Sequence, residues 1–388
     1  MAIDGSEVTI YTSYTPGGYI MSKRPLRFAL IGAGHIAQSA VIPSFAAIPK
    51  DAELVGILSD DPLKRRRLAH ESGLPSWNEA QLVKAIAERS FDALYIATPN
   101  HRHLEQASAA LRGGVHVLLE KPMTVTVAEG QRLAAVEKKS PARLMVAYRL
   151  HCDPIYNEVI HRVRSGEIGD PRLFTASFTM QVNEGNIRTK AGVGGGTVHD
   201  LGIYCINAAR TVFASEPLEV RAIAVAGHDA RSRHVDEMTS AILRFPEDRL
   251  ATFTSSFGAV ATSWFEVVGS SGKIRLETAF DLSGQMEMTL ERKGRTTRKA
   301  RRIGDQFAAE IRYFVDCVRA GRDPEPGIDE GLRDMRVIEA VLRAAGGARA
   351  CMLPAAKPVV GPQPRLVRRV RALKNRAVMV HAKAPSRD

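Results

Sequence analysis

Gly32, Ala33 and Gly34 follow directly on the apolar run Phe28 to Ile31, and Ile36-Ala37 then begins a helical pattern. A strand that turns on glycines into a helix presents unpaired N–H groups and the positive end of the helix dipole to an anion, and Gly34 allows close approach. That is a place for the pyrophosphate of a dinucleotide. Gly32, Gly34, His35 and Ile36 are its candidate residues, and Ala37 takes the third position of the fingerprint, which the pattern allows. The second apolar run, Glu53 to Leu58, ends in Ser59, Asp60, Asp61 and Pro62, with Lys64, Arg65, Arg66 and Arg67 a turn later. At this point of such a fold an acid selects the ribose 2′-hydroxyl of NAD, whereas a hydroxyl with nearby cations accepts the 2′-phosphate of NADP. Ser59 facing the ribose, with Lys64 and Arg65 in reach of a phosphate, favours NADP and leaves NAD open. The competing reading makes Lys64 to Arg67 the solvated face of a helix.

Two further stretches place polar groups against apolar surroundings. Glu120-Lys121-Pro122 closes the run His116 to Leu119. A strand end stiffened by proline aims Lys121 into the cofactor crevice with Glu120 placed to hold it, unless the tripeptide is a plain surface pair. Gly194-Gly195-Gly196 leads into a second helix, on which Asp200 and Tyr204 are four apart and share a face, with Asn207 a turn further. The alternative for Tyr204 is core packing with its hydroxyl satisfied. His101 and His103 have the spacing of a metal pair but read better as a helix-start turn, and no metal site is expected.

The elements that must position these groups alternate through the first half of the chain. The pattern predicts a helix over 36–47 interrupted at Pro43, and further helices over 62–72 (closed by Gly73), 79–88, 104–112 and 127–137. Strands are expected over 53–58, 91–98, 116–119 and 144–148. Alternation of this kind implies an α/β, doubly wound parallel sheet of Rossmann type, whose ligands lie at the carboxyl ends of the strands. Thr98, Pro99, Asn100 and His103 then share a rim with the glycine turn and with Glu120 and Lys121. After the helix 154–165 the pattern changes to strands: 173–180, 219–225, 239–245, 250–257, 264–268, 273–277 and 286–291. Short hairpins such as Pro246-Glu247-Asp248 imply antiparallel pairing. The expected division is an extension over 1–24, a dinucleotide-binding domain over 25–148, an α+β substrate and oligomerisation domain with an open, mostly antiparallel sheet over 149–354, and a basic tail over 355–388. Two amphipathic helices, 306–320 and 330–345, should pack back on the sheet, and an open sheet face is a reason to expect a homo-oligomer.

Charge narrows the partners. The net charge is +12, but the tail from 355 holds nine Lys and Arg against Asp388 alone, which leaves +4 for the rest. The body is therefore not built to bind nucleic acid. Within the tail, Leu366, Val370 and Leu373 recur at helical spacing among arginines, so 365–380 reads either as an amphipathic helix for a membrane surface or acidic partner, or as a loosely ordered tail. No run reaches the ~18 apolar residues of a membrane span. Residues 1–22 hold no Lys or Arg and do not read as a signal peptide; Met21 is a second candidate start. Cys152, Cys205, Cys317 and Cys351 are far apart, which fits a reducing cytoplasm better than a disulfide framework.

Taken together, GAGHIA (32–37), TPNHRH (98–103), EKP (120–122), AYRLHCDP (147–154), GGGTVHDLGIYCINAAR (194–210) and DQFAAEIRYFVDC (305–317) resemble the glucose–fructose oxidoreductase/inositol dehydrogenase/MocA family over about residues 25–350. The resemblance implies that Lys121 sits beside a nicotinamide and that Asp200 and Tyr204 form the proton-transfer pair. A tyrosine at 204, where many members have histidine, is similar to the branch with glucose–fructose oxidoreductase and NADP-dependent aldose 1-dehydrogenases. Two departures matter. Ile187 replaces the aromatic often found before Arg188, and the leader of the periplasmic member is absent, which favours the cytoplasm.

The implied reaction moves a hydride between NADP and C1 of an aldose or related polyol. An unperturbed tyrosine, with a pKa of ~10, is a poor base at neutral pH, and a neighbouring ammonium would favour its phenolate. Tyr204 would take the proton, Lys121 would tune it and polarise the oxygen, and Asp200 would orient the substrate hydroxyl. Arg149 is a candidate for both cofactor and substrate, with Arg188 and His199 lining the sugar. Two alternatives stand beside this one: a non-catalytic sugar- or nucleotide-sensing regulator, and an NAD-dependent cyclitol or amino-sugar dehydrogenase, for which an acid at Ser59 would have been expected.

Overall fold

In the computed structural model, residues 24–227, 234–347, 349–356, 369–372 and 379–386 are described. The expectations for the N-terminal extension and for much of 365–380 fall outside them; the described parts of the tail, 369–372 and 379–386, contain no helix.

The first half forms a six-stranded parallel sheet in the order β3-β2-β1-β4-β5-β6. Its strands are β1 (Leu26–Ile31), β2 (Ala52–Leu58), β3 (Ser76–Trp77), β4 (Ala93–Ile96), β5 (His116–Glu120) and β6 (Leu144–Ala147). The order reverses at β1, so the crevice between β1 and β4 opens at the glycine turn. Connecting them are α1 (Ile42–Phe45), α2 (Pro62–Ser72), α3 (Leu82–Ala87), α4 (His103–Arg112) and α5 (Val127–Glu137). Local chemistry sets several ends. Asp61 caps α2 by accepting from Leu63 N and Lys64 N, and Gly73 closes it at φ +67°. Thr126 and Glu129 form a capping box on α5.

Pro43 does not break the first helix. The helical stretch runs on over 35–45, and its hydrogen-bonding changes from a π-helical turn (Ala37–Val41) to α1 just before Pro43, an irregularity of the kind that accommodates a residue without an N–H.

The second half is a nine-stranded sheet in the order β14-β13-β12-β11-β7-β10-β9-β8-β15. After α6 (Pro154–Arg164) come β7 (Pro171–Thr179), α7 (Ile203–Phe213), β8 (Glu219–Val225), β9 (Met238–Phe245) and β10 (Arg249–Ser256). They are followed by β11 (Thr262–Gly269), β12 (Gly272–Glu277), β13 (Gln285–Arg292) and β14 (Arg295–Arg302), then α8 (Gln306–Arg319), α9 (Ile328–Ala345) and β15 (Cys351–Met352). Among the described residues of this sheet only β7 and β10 pair in parallel; every other pair is antiparallel. β14 has no counterpart among the expected strands. Its sequence, RTTRKARR, is exposed throughout and shows no apolar alternation, so it joins the sheet by backbone pairing with β13 and blunts an edge with charge.

The inner face of this sheet buries Phe174, Leu243, Phe253, Phe265 and Leu276, whereas Leu173, Ile223, Val225, Ile242 and Leu250 stand exposed. The two late helices do not both cover it. In α8, Phe307, Ile311 and Phe314 pack with Phe28, Tyr95 and Leu118 on the parallel sheet, beside Ala37, Val41 and Phe45 of the first helical stretch. α9 lies against α5, α7 and β8 and so wedges between the halves. No helix among the described residues is long and apolar enough to cross a membrane.

Candidate active site

At the glycine turn, Gly32 has φ +94°, and a Cβ there would lie 2.6 Å from the Ala97 carbonyl and Thr98 N. Only glycine lets β1 leave the sheet so close to the end of β4. Gly34 differs: an added Cβ would meet nothing within 4 Å, so the backbone faces open space at the helix start. His35 and Ile36 are half-buried beside it. Burial, and then the charge of Arg188 from the other half, lower the pKa of His35.

At the end of β2, Ser59 is buried and its Oγ accepts from Asp61 N at 3.3 Å. Arg65 donates to the Ser59 carbonyl at 2.8 Å, so the sequence pair Ser59 and Arg65 does come together; Lys64 stands in the same first turn of α2. At the next rim, Thr98 donates to Gln106 Oε1 at 2.6 Å, Pro99 is half-buried, and Asn100 reaches across to the Gly194 carbonyl at 2.8 Å.

Lys121 follows β5. Its Nζ donates to the Asp200 carbonyl at 2.9 Å, pairs with Asp200 Oδ1 at 3.3 Å and lies 4.6 Å from the Tyr204 ring centroid. Arg188 Nε donates to the other carboxylate oxygen of Asp200 at 2.6 Å. Burial opposes the charge on Asp200, but Arg188 and then Lys121 overcome it and hold its pKa down at about 2. Burial would likewise lower Lys121, yet the Tyr204 and Asp200 sides of the site raise it. Lys121 therefore remains an ammonium and Asp200 a carboxylate across the neutral range.

Asp200 belongs to a π-helical turn (Val198–Gly202) that runs into α7. The chain is tight just upstream, where a Cβ on Gly195 would sit 2.5 Å from the Arg188 carbonyl. The Tyr204 ring packs on Phe178 and Phe280, with centroids at 5.5 and 6.0 Å. Among the described residues nothing hydrogen-bonds its hydroxyl.

Several candidates stand elsewhere than the sequence suggests. Glu120 acts on Lys121 through its charge and not by a direct ion pair; its carboxylate accepts from Tyr95 Oη at 2.9 Å, a residue with no sequence signal beyond a buried strand. His103 is fully buried with its two ring nitrogens 3.0 Å from the Thr98 and Pro122 carbonyls, so it ties two rim loops together from below. Arg149 is buried and donates to the Phe280 and Asp281 carbonyls and to Gln306. Its guanidinium lies 5.1 Å from the Tyr204 ring, as a support for that ring and not a group free for a sugar. His199 is buried, and its Nε2 has no hydrogen bond among the described residues. Asn207 turns inward to His151, Glu330 and Asp334 and leaves the company of Asp200 and Tyr204. Among the described residues no three or more His, Cys, Asp or Glu side chains are grouped as a metal site would need.

A glycine turn at the switch point of a parallel sheet, facing a lysine, a carboxylate and an unpartnered phenol across one crevice, defines a nicotinamide-dependent oxidoreductase. Comparison with known proteins agrees. Residues 26–148 match the oxidoreductase family with an NAD-binding Rossmann fold, GFO/IDH/MocA, and residues 156–275 match the GFO/IDH/MocA C-terminal domain. The chain belongs to this family. It is 30% identical to the aldose-aldose oxidoreductase of Caulobacter crescentus, solved with glycerol, over 85% of this chain and all of that one, with a TM-score of 0.80. KijD10, a 3-ketoreductase of Actinomadura kijaniata solved with NADP and TDP-benzene, is 30% identical over 82% of this chain and 98% of its own, with a TM-score of 0.75. The NADP-dependent D-xylose 1-dehydrogenase of Haloarcula marismortui is 29% identical over 83% of this chain and 91% of its own.

Proposed function

We propose that this chain is an NADP-dependent sugar oxidoreductase that oxidises C1 of an aldose, or the equivalent carbinol of a related polyol. One observation carries the reading: the Tyr204 hydroxyl has no partner among the described residues, yet its ring lies within 4.6 Å of the Lys121 ammonium at the mouth of the crevice. A phenol that the fold leaves unsatisfied beside a fixed cation is available to a substrate hydroxyl.

The turn Gly32–Ile36 fits a pyrophosphate, since Gly34 opens on free space. Ser59 and Arg65, with Lys64, fit a 2′-phosphate. When bound, the nicotinamide supplies a hydride acceptor. The chain's own residues do the rest. Tyr204 Oη takes the proton of the sugar hydroxyl. Lys121, held as an ammonium, favours the phenolate and polarises the same oxygen. Asp200 is ionised and fixed by two cations, so it anchors Lys121 and keeps an acceptor near the substrate hydroxyl. Phe178 and Phe280 keep water off the ring. We place the division between the nucleotide and substrate domains at residue 148. The exposed face carrying Ile223, Val225, Ile242 and Leu250 supports self-association through the second sheet, which the mass in solution tests. The four cysteines are buried and unpaired, which supports a reducing compartment.

The test is direct. Purified protein with NADP and a panel of aldoses should produce reduced-nicotinamide absorbance, more slowly or not at all with NAD. A chain that binds NADPH but turns over no sugar in either direction would favour a sensing role and overturn the enzyme reading.

A further inference from the structure

The described end of the chain returns to the crevice. Val380 offers its N–H to Gln38 Oε1 at 2.7 Å and its carbonyl to Gln38 Nε2 at 2.9 Å, and that same amide nitrogen donates to the carbonyl of Ala33 in the glycine turn at 2.8 Å. Gln38 and Val380 are both buried, and the valine side chain fills a small cluster with Ala33, Ile57 and Leu68. His381 follows, 3.3 Å from the carboxylate of Asp61, the cap of the helix whose first turn carries Lys64 and Arg65. The chain then crosses to the other half. Asn183 donates from its N–H to the Pro385 carbonyl at 2.8 Å and from its side chain to the Ala384 carbonyl at 2.9 Å, and Ser386 forms a bridge with Val182. Asn183 lies five residues before Arg188, which grips Asp200.

We propose that residues 379–386 are a strap over the adenosine end of the dinucleotide site, which must release one anchor before the cofactor can enter or leave. The reasoning is geometric. One anchor is on the pyrophosphate turn and beside the 2′-phosphate candidates; the other is on the substrate half. Only four residue steps separate Val380, held by Gln38, from Ala384, held by Asn183, so the anchors can be at most about 14 Å apart while both hold. The two halves cannot swing open about the crevice beyond that span without breaking the Gln38 or the Asn183 contacts. The amide of Gln38, otherwise a costly buried polar group, finds its partners in the strap and in the turn that the strap guards. Among the described residues the strap makes no hydrogen bond or ion pair with Lys121, Asp200 or Tyr204, so it governs exchange of the cofactor and not the chemical step.

This rests on the crevice being the NADP site. The experiment compares the full chain, a variant ending at residue 378, and Val380→Asp in the full chain, which unseats the buried valine without shortening anything. NADPH is bound to each, and its release is followed by nicotinamide fluorescence after adding excess NADP. Single-turnover sugar oxidation is measured in parallel. Both variants should release NADPH at least tenfold faster than the full chain, with single-turnover rates within twofold. Equal release rates in all three overturn the strap alone. Faster binding in the variants with unchanged release also overturns it, because the segment would then be a competitor for the site. A full chain that binds no NADPH overturns the functional reading and the strap with it.

Discussion

Two clusters of cation, carboxylate and tyrosine flank α7, and they do opposite things. At its start are Lys121, Arg188, Asp200 and Tyr204, all partly open to the crevice. Further along, Arg210 donates to Glu216 at 2.7 and 2.8 Å, to Glu330 at 2.9 Å and to Asp334. Tyr148 donates to Asp334, and Asn207 donates to Glu330 at 3.0 Å and to Asp334 at 2.9 Å. Arg210 and Asp334 are 0% exposed. Burial pushes the carboxyl of Asp334 up, while at Glu330 the guanidinium of Arg210 outweighs burial and holds the carboxyl down. The second cluster satisfies its phenol and is sealed; the first leaves its phenol unpartnered and is not. The residue types are nearly the same, so what separates chemistry from structure here is whether the fold supplies the tyrosine's partner.

The largest effect that could break this contrast is Tyr204→Phe. The ring stays packed between Phe178 and Phe280, so the melting temperature should hold, while kcat falls by about 10²–10⁴-fold. Lys121→Met should act similarly with NADPH binding retained. Steady-state rates, fluorescence titration and calorimetry check all three readouts, and a wild-type rate in either variant would sink the assignment. Next is Arg210→Met, which takes the buried cation from Glu330 and Asp334 and leaves Glu216 with Arg333 alone. It should cost about 3–5 kcal/mol in urea unfolding, with the residual folded protein turning over normally. A loss of rate without loss of stability would mean that the sealed cluster is part of the chemistry.

The smallest effect is in the pH profile of stability. Asp200 has a depressed pKa, so its contribution is present above the ~3.9 of an unfolded aspartate and is lost as pH falls toward about 2. Glu325, beside Glu330 at the edge of the sealed cluster, is pushed up to about 7, by burial first and then by the charge of Glu330. There the folded state holds a proton that the unfolded chain gives up, so stability should decline as pH rises from ~4.3 toward about 7. Melting curves across pH should show Asp200→Asn shallowing the acid limb, to which Asp92 and Glu158 also contribute, and Glu325→Gln flattening the decline. If Glu325→Gln leaves the decline intact, the shift at Glu325 is not its source.

Much of this was legible from local signals. The glycine turn, the helix end at Gly73, and the alternation from β7 to β13 follow from backbone sterics and strand periodicity, which act over a few residues. The candidates Lys121, Asp200 and Tyr204, which the fold brings together, were legible too, because a lysine at a strand end and a phenol four residues from an acid stand out in apolar runs. Their connections were not. Glu120 as holder of Lys121 was the nearest charge in sequence, but Tyr95 claims it, and the true partner lies 79 residues away. Arg149 and His199 carry groups that could touch a sugar, and only packing turns one toward the backbone of Phe280 and buries the other. β14 was invisible because it carries no apolar alternation; backbone pairing with β13 and the ion pair of Lys299 with Glu158 hold it in place.

The amino-acid order alone determined the two sheets, the crevice at β1 and the kinds of groups around it, since turns, caps and alternation are decided by each residue's own conformational preferences. Tertiary structure decided which tyrosine is sealed and which is free, which carboxylate meets Lys121, and that Val380 lies against Gln38 across 342 residues. Those outcomes depend on desolvation and on contacts between distant segments, which no local pattern encodes.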